Sequence, residues 1–270
     1  MRKKEMRKDR FIMIGLALLL LFGCTQNPSQ EKTTDRSLLD IKERGNLIVG
    51  SDIPWKPMEF IDDSGSAVGF DIDVATEIAK GLGVSIEIVD YPWDELFDSV
   101  KTGKVDFAIS GISITPERME EYLFSDPYLD VGQSIIIRKD DARINSSPYL
   151  KGKKIGAISD TTSLEEAIKL TESSLVTEYD SYEYSDEQET GIIYDLKSGK
   201  IDAVITDYAP AKETAKDEPT LKVLGEPLTQ EYYGIMARKD SYALMNEVNK
   251  ILKNMKTNGK YEEIKNKWLQ

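Results

Sequence analysis

From Asn46 onward the chain alternates short runs rich in β-forming residues with amphipathic stretches. Residues 47–49, 86–89 and 105–109 read as strands, because apolar β-formers gather there over a few positions and then stop. Between the first two, Val74, Ala75, Ile78, Ala79 and Leu82 fall on one helical stripe that ends at Gly83, a residue suited to a left-handed helix cap. Near the end, Leu244, Val248, Ile251, Leu252 and Met255 recur at helical spacing, and the pattern continues to about Trp268. An amphipathic helix packed back on the fold is expected there, and the alternation as a whole implies an α/β class.

The pattern also repeats. Residues 96–111 (LFDSVKTGKVDFAISG) match residues 192–207 (IIYDLKSGKIDAVITD) without a gap. Each copy is a helix end, a glycine turn and a strand. Such units are common and two of them could converge, but similarity along the whole stretch favours two related lobes. Ligands of open α/β sheets sit beyond the carboxyl ends of the strands. Two lobes facing each other therefore bring Ser110-Gly111 and Thr206-Asp207 to opposite walls of one cleft, and hinge motion closes such a cleft over a ligand.

The first residues follow a different rule. Residues 1–10 carry six basic and two acidic side chains, and residues 11–22 are uncharged and nearly all apolar. That run is shorter than a spanning helix needs, so 1–23 reads as an export signal. It ends at Leu21-Phe22-Gly23-Cys24, which resembles the lipobox of bacterial lipoproteins, although Phe22 replaces the small or aliphatic residue usual there. Cys24 is either a thiol placed by chance or the site of a lipid anchor; as the sole cysteine, after a basic and then an apolar segment, it favours the anchor. Residues 24–37 are polar and aperiodic and read as a tether, with the globule starting near Leu38.

Composition narrows the chemistry. Thirty-five Lys and Arg against 48 Asp and Glu give a formal charge of −13, which offers no overall attraction to nucleic-acid phosphates or anionic membrane surfaces. Nucleic acid is not an expected partner. The absence of histidine excludes Ser-His and Cys-His catalysis and His-ligated zinc in their usual forms. One cysteine permits no internal disulfide. No cofactor, metal or ATP-binding loop is expected.

Several residues remain as candidates for binding. Thr115-Pro116 is a helix start, and Arg118 just inside it carries a guanidinium suited to gripping a carboxylate. Alternatively Arg118 pairs on the surface with Glu117 or Glu121. The turn after residues 155–158 offers Thr161 and Thr162, whose backbone N–H groups would point at an anion, unless Thr162 or Ser163 merely caps the helix that follows from Leu164. Asp207 either receives an ammonium or caps the helix after Tyr208. Trp55 and Trp93 are either core or platforms for a ligand.

Over residues 45–268 the chain resembles the polar amino-acid-binding proteins of ABC uptake transporters, the family 3 extracellular solute-binding proteins, in their lipoprotein form. The stretches that carry the likeness are GNLIVGSDIPWKPMEF, VGFDIDVATEIAKGLG, GKVDFAISGISITPER, FSDPYLDVGQSIIIRKDD, LKGKKIGAISDTTSLEEA, GKIDAVITDYAPA and KYEEIKNKW. The resemblance implies a two-lobed periplasmic-binding-protein-like fold of type II, with lobe one at 38–132 and 232–270, lobe two at 133–231, and two strands near 129–133 and 231–235 as the hinge. It also implies that Arg118 holds a ligand α-carboxylate with Ser113 and the backbone at Thr162, while Asp207 and the Gly111 carbonyl take the α-ammonium. Asp52, Trp55 and Trp93 match positions that contact the ligand side chain, and Ser110, Ile158 and Thr161 complete the walls. Met58, Lys56 and Ile158 depart from the residues usual in the family.

By this resemblance the protein is not an enzyme. It is a monomer anchored outside the cell membrane that passes an L-amino acid to an ABC permease. Arg118 and Asp207 cancel the two backbone charges of an amino acid, so Asp52, with Asp160 as a second negative charge, favours a cationic side chain. Lysine, arginine or ornithine is expected, then glutamine, then cystine. The competing readings are a cyclohexadienyl (prephenate or arogenate) dehydratase on the same fold, using Asp52 or Asp160 as acid or base, and an amino-acid sensor acting in trans.

Overall fold

Two five-stranded sheets organise residues 35–269, the part of the chain that this computed structural model describes. The expected signal, Cys24 and the tether as far as residue 34 lie outside the described residues. In chain order the elements begin with α1 (Ser37–Arg44), β1 (Asn46–Ser51), β2 (Phe60–Ile61), β3 (Ala67–Val68), α2 (Phe70–Leu82), β4 (Ser85–Asp90), α3 (Trp93–Lys101) and β5 (Phe107–Ala108). There follow α4 (Pro116–Glu121), β6 (Tyr122–Phe124), β7 (Leu129–Val131), β8 (Gln133–Arg138), β9 (Ile155–Ile158), α5 (Thr162–Leu170), β10 (Val176–Tyr179), β11 (Tyr184–Ser185) and β12 (Thr190–Gly191). The chain finishes with α6 (Ile192–Ser198), β13 (Ala203–Asp207), α7 (Tyr208–Asp217), β14 (Leu221–Leu224), β15 (Glu231–Tyr233), β16 (Met236–Arg238), α8 (Tyr242–Asn258) and α9 (Lys260–Trp268).

The sheet orders are β4-β1-β5-β16-β6 and β10-β9-β13-β8-β14. In each, three neighbouring strands run parallel and the fourth is reversed. Helices cover both faces of both sheets, and β13 is accordingly buried at every position, as strands with two covered faces are. Between the sheets, β7 and β15 pair antiparallel, Leu129 opposite Tyr233 and Val131 opposite Glu231. The result is a two-lobed α/β fold of the periplasmic-binding-protein kind.

The sequence repeat is also a structural one. Its two strands, β5 and β13, hold the central place in their sheets. The Ser99 carbonyl accepts from the N–H groups of Lys104 and Val105, and the matching Asp195 carbonyl accepts from Lys200 and Ile201. Asp106 and Asp202 each anchor the neighbouring strand, accepting from Ile48 N at 2.7 Å and from Lys154 N at 3.0 Å. Gly103 and Gly199 take left-handed conformations at φ 72° and 83°.

Three local differences from the sequence reading have plain causes. Of the expected strand 105–109, only Phe107–Ala108 forms a two-sided ladder, with Val49 and Gly50 on one side and β16 on the other. The helix after the 155–158 strand starts at Thr162 rather than Leu164, because Thr161 supplies the cap by accepting from Leu164 N at 3.3 Å. The end of the expected tether is folded. Asp35 accepts from Ala243 N at 2.5 Å and Ser37 Oγ from Leu244 N at 3.2 Å, which satisfies first-turn donors of α8 that have no partner inside the helix.

Because no atom stands within 4 Å of a side chain added at Gly199, only its left-handed backbone resists substitution. Gly199→Ala should cost about 1 kcal/mol in denaturant unfolding. Ligand affinity should stay unchanged, and an unaltered midpoint would contradict the role given to this turn.

Candidate functional site

The carboxyl ends of the parallel strands face one another across a cavity of about 360 Å³. Asp52, Trp55, Trp93, Ser110, Gly111, Ser113 and Arg118 line it from the first lobe, and Ile158, Thr161, Thr162 and Asp207 line it from the second. These eleven residues singled out from sequence thus meet in one place, whereas Asp160 does not line the cavity.

Arg118 lies one turn into α4, whose cap is Thr115: the Arg118 N–H donates to Thr115 Oγ1 at 3.2 Å. Its guanidinium donates to the carbonyls of Ser113 at 2.9 Å and Asp160 at 3.2 Å, and lies 5.5 Å from the Trp93 ring and 5.2 Å from that of Phe97. Glu121 pairs with Lys101 instead. Carbonyls and aromatic faces orient the guanidinium without cancelling its charge. Burial lowers its pKa, against the pull of Glu165, Asp207 and Glu231. Trp93 also donates from Nε1 to the Asp160 carbonyl at 3.2 Å, so that carbonyl, held at φ 58°, ties the two lobes together. The expected second negative charge is not delivered by Asp160: its carbonyl, not its carboxylate, takes part, and the residue is absent from the cavity wall.

The opposite wall is the N-terminus of α5. Thr161 donates to the Ile158 carbonyl at 2.7 Å while capping the helix, and the first-turn N–H groups of Thr162 and Ser163 are those a helix leaves without internal partners. Gln133 organises this wall, donating from Nε2 to Thr162 Oγ1 at 3.1 Å and to Asp207 Oδ1 at 3.0 Å, and accepting from Ser163 Oγ at 2.7 Å. Asp207 is buried at the N-cap position of α7 yet makes no side-chain cap bond there. Burial, with Glu231 close by, pushes its pKa up to about 7 despite Tyr233, Gln133 and Arg118. The Ser113 hydroxyl, expected to help Arg118, donates to Glu231 Oε2 at 2.8 Å.

The far end of the cavity is acidic. Burial, followed by Asp90, Glu183 and Asp94, pushes the Asp52 carboxyl up to about 7. Behind it, Ser110 donates to Glu59 Oε1 at 2.6 Å and accepts from Asp52 N at 2.9 Å. Glu59 Oε2 is buried without a partner, and burial beside Asp71 holds this acid well above the usual carboxylate range. Asp71 accepts from Gly111 N at 2.7 Å and from the Tyr128 hydroxyl. Gly111, at φ 54°, has no room for a side chain, since an added Cβ would stand 2.0 Å from Trp55. Trp55 packs on the first core and lines the cavity at once, so both sequence readings of it apply. Met58 is instead fully buried in the core and Lys56 sits over Phe60, so neither departure reaches the cavity.

Glu59, Asp90, Tyr182 and Glu183 line the cavity without having been singled out from sequence. Among the described residues no group of three or more His, Cys, Asp and Glu side chains is disposed to hold a metal, and no helix is long and apolar enough to cross a membrane.

Comparison with known proteins agrees with the two-lobed fold. The L-cystine-binding protein TcyJ of Escherichia coli strain K12 is 31% identical over 260 residues, covering 95% of this chain and 94% of its own. The arginine-, lysine-, histidine-binding protein ArtJ of Geobacillus stearothermophilus superposes with a TM-score of 0.74 at 37% identity, covering 83% of this chain and 94% of that one. An ancestral amino acid-binding protein, AncCDT-1, a precursor of cyclohexadienyl dehydratase, superposes with a TM-score of 0.77 at 36% identity over 87% and 100% of the two chains. Residues 47–270 match the model of the bacterial extracellular solute-binding proteins, family 3, and the chain belongs to that family.

Proposed function

We propose that this protein captures a cationic L-amino acid between its lobes and delivers it to an ABC permease, held at the outer face of the cell membrane by a lipid on Cys24. The observation that carries the reading is the opposition of charges in one cleft. Arg118 on the first lobe and Asp207 on the second are both desolvated and neither forms an ion pair among the described residues, while a second acid, Asp52, waits at the far end. An α-carboxylate on Arg118 and the α5 N-terminus, an α-ammonium on Asp207, and a side-chain cation at Asp52 satisfy all three groups. Arginine, lysine or ornithine fits best, glutamine less well, because Asp52 would then stay uncompensated. The arginine and lysine named for ArtJ agree with this choice, and the cystine named for TcyJ is the neighbouring alternative. Delivery requires the closed form, in which both lobes contribute to one surface for the permease.

A second reading, dehydration of prephenate or arogenate, draws on the likeness to AncCDT-1 and on Glu59 and Asp52 at the cavity end, whose carboxyls burial holds above the usual range. Turnover of either compound by the purified chain would support it. Binding of an amino acid without turnover, together with permease-dependent uptake, supports the carrier.

Calorimetric titration of protein refolded to remove carried ligand tests the assignment. Arg118→Ala should weaken every amino acid by about 100-fold or more, since it deletes a charge-assisted contact to the ligand carboxylate. Asp52→Asn should weaken cationic ligands alone, by about tenfold; equal loss for glutamine and arginine would sink the specificity argument.

The pH dependence has a definite sign. Asp207 and Asp52 titrate near pH 7 without ligand but must ionise to receive a cation. Affinity should therefore fall by about tenfold for each such group between pH 8 and pH 6, with protons released on binding. Stability of the free protein runs the other way. Asp207 titrates at about 7 folded against 3.8 ordinarily, so the folded state holds the extra proton and stability falls as pH rises from about 4 to about 7. Saturating ligand should remove that fall, and affinity independent of pH would contradict the ionic role of both acids.

A further inference from the structure

Glu183 stands in the stretch between β10 and β11, within an acidic run that carries no periodic signal. The residues on either side are fastened. The Tyr182 hydroxyl lies 3.2 Å from Thr214 Oγ1, and the Tyr184 hydroxyl donates to Glu218 at 2.7 Å. Lys197, 5.8 Å from the Tyr184 ring, pairs with Asp186 and Glu218 rather than with Glu183. An exposed carboxylate is thus carried at a fixed place by the second lobe. It lines the main cavity together with Asp52 and Asp90 of the first lobe, and it also lines an adjoining cavity of about 650 Å³.

We propose that Glu183 is a specificity-determining residue, which faces Asp52 across the cleft so that the lobes close fully only over a ligand that places a cation between the two carboxylates. This rests on the reading of the cleft as an amino-acid site and adds the element that rejects neutral ligands. Closure brings like charges from opposite lobes together while stripping water from between them, and their repulsion grows as the local dielectric falls. Asp90 and Asp94 reinforce the negative side, and Glu59, buried with Oε2 unpartnered behind Ser110, supplies no countercharge. A lysine or arginine side chain turns the repulsion into two attractions, whereas a neutral amide leaves it in place. Selectivity then comes from a penalty on the wrong ligand as well as from contacts to the right one.

The test is calorimetric titration of wild type and Glu183→Gln with L-arginine, L-lysine and L-glutamine at 50 mM and 500 mM salt. The side chain is exposed, so unfolding of the ligand-free variant serves as the control for folding. In the variant, arginine and lysine should weaken by about tenfold while glutamine holds or strengthens, and the preference for cations should lose most of its salt dependence. A change of the same size and sign for all three ligands, or no change, overturns the role of Glu183 while leaving the amino-acid site standing. A wild type that binds none of the three overturns both.

Discussion

Charge held out of water without its counterpart is the constraint on which this molecule turns. Arg118 is oriented by carbonyls and aromatic rings and Asp207 by an amide, Asp52 has only acids among the charged groups around it, and none of these partners cancels a formal charge. Burying ions in this way is costly unless something neutralises them. In the free protein burial raises the Asp207 and Asp52 carboxyls to about 7, which lowers that cost by favouring their uncharged forms. On the proposed reading, a zwitterion with a cationic tail would meet it better, its binding relieving a cost already built into the cleft.

The fold supplies that cleft by using one unit twice. The helix, glycine turn and strand that deliver Ser110-Gly111 recur to deliver Thr206-Asp207, each at the centre of a five-stranded sheet. The turns match bond for bond, down to the aspartates that anchor the neighbouring strands. The two strand ends differ in chemistry. The first is a glycine pressed against Trp55, with its N–H tied to Asp71, and the second is a buried acid. A symmetric frame therefore presents an asymmetric pair of walls, as recognition of a head-to-tail charged ligand requires. The contacts of the Asp160 carbonyl with Trp93 and Arg118 link those walls at the same edge as the guanidinium.

Much of this was legible before any coordinates. Helical spacing located α2 and α8, and the gapless repeat announced two lobes with strand ends facing each other. Thr115-Pro116 announced the start of α4, because capping is a local matter. What the sequence concealed depends on long-range contacts. Nothing in the run around Glu183 marks it as lining one cavity with Asp52, since the two are brought together by segments that follow β10 and β1, strands of different sheets. Met58 is drawn into the core and Asp160 turns its carbonyl inward, because backbone path decides which atoms a position offers. Gln133 could have been found, since it is a polar residue just ahead of the apolar run 135–137 of its strand and its register places it opposite Asp207.

The most direct measurement is a crystal structure of the protein grown with L-arginine at pH 8. The account predicts a closed cleft with the ligand carboxylate on the Arg118 guanidinium and the N–H of Thr162, its ammonium on Asp207, and its guanidinium beside Asp52. An amino acid lying the other way round, with its carboxylate at the acidic end, or a ligand held without contact to Asp207, would contradict it.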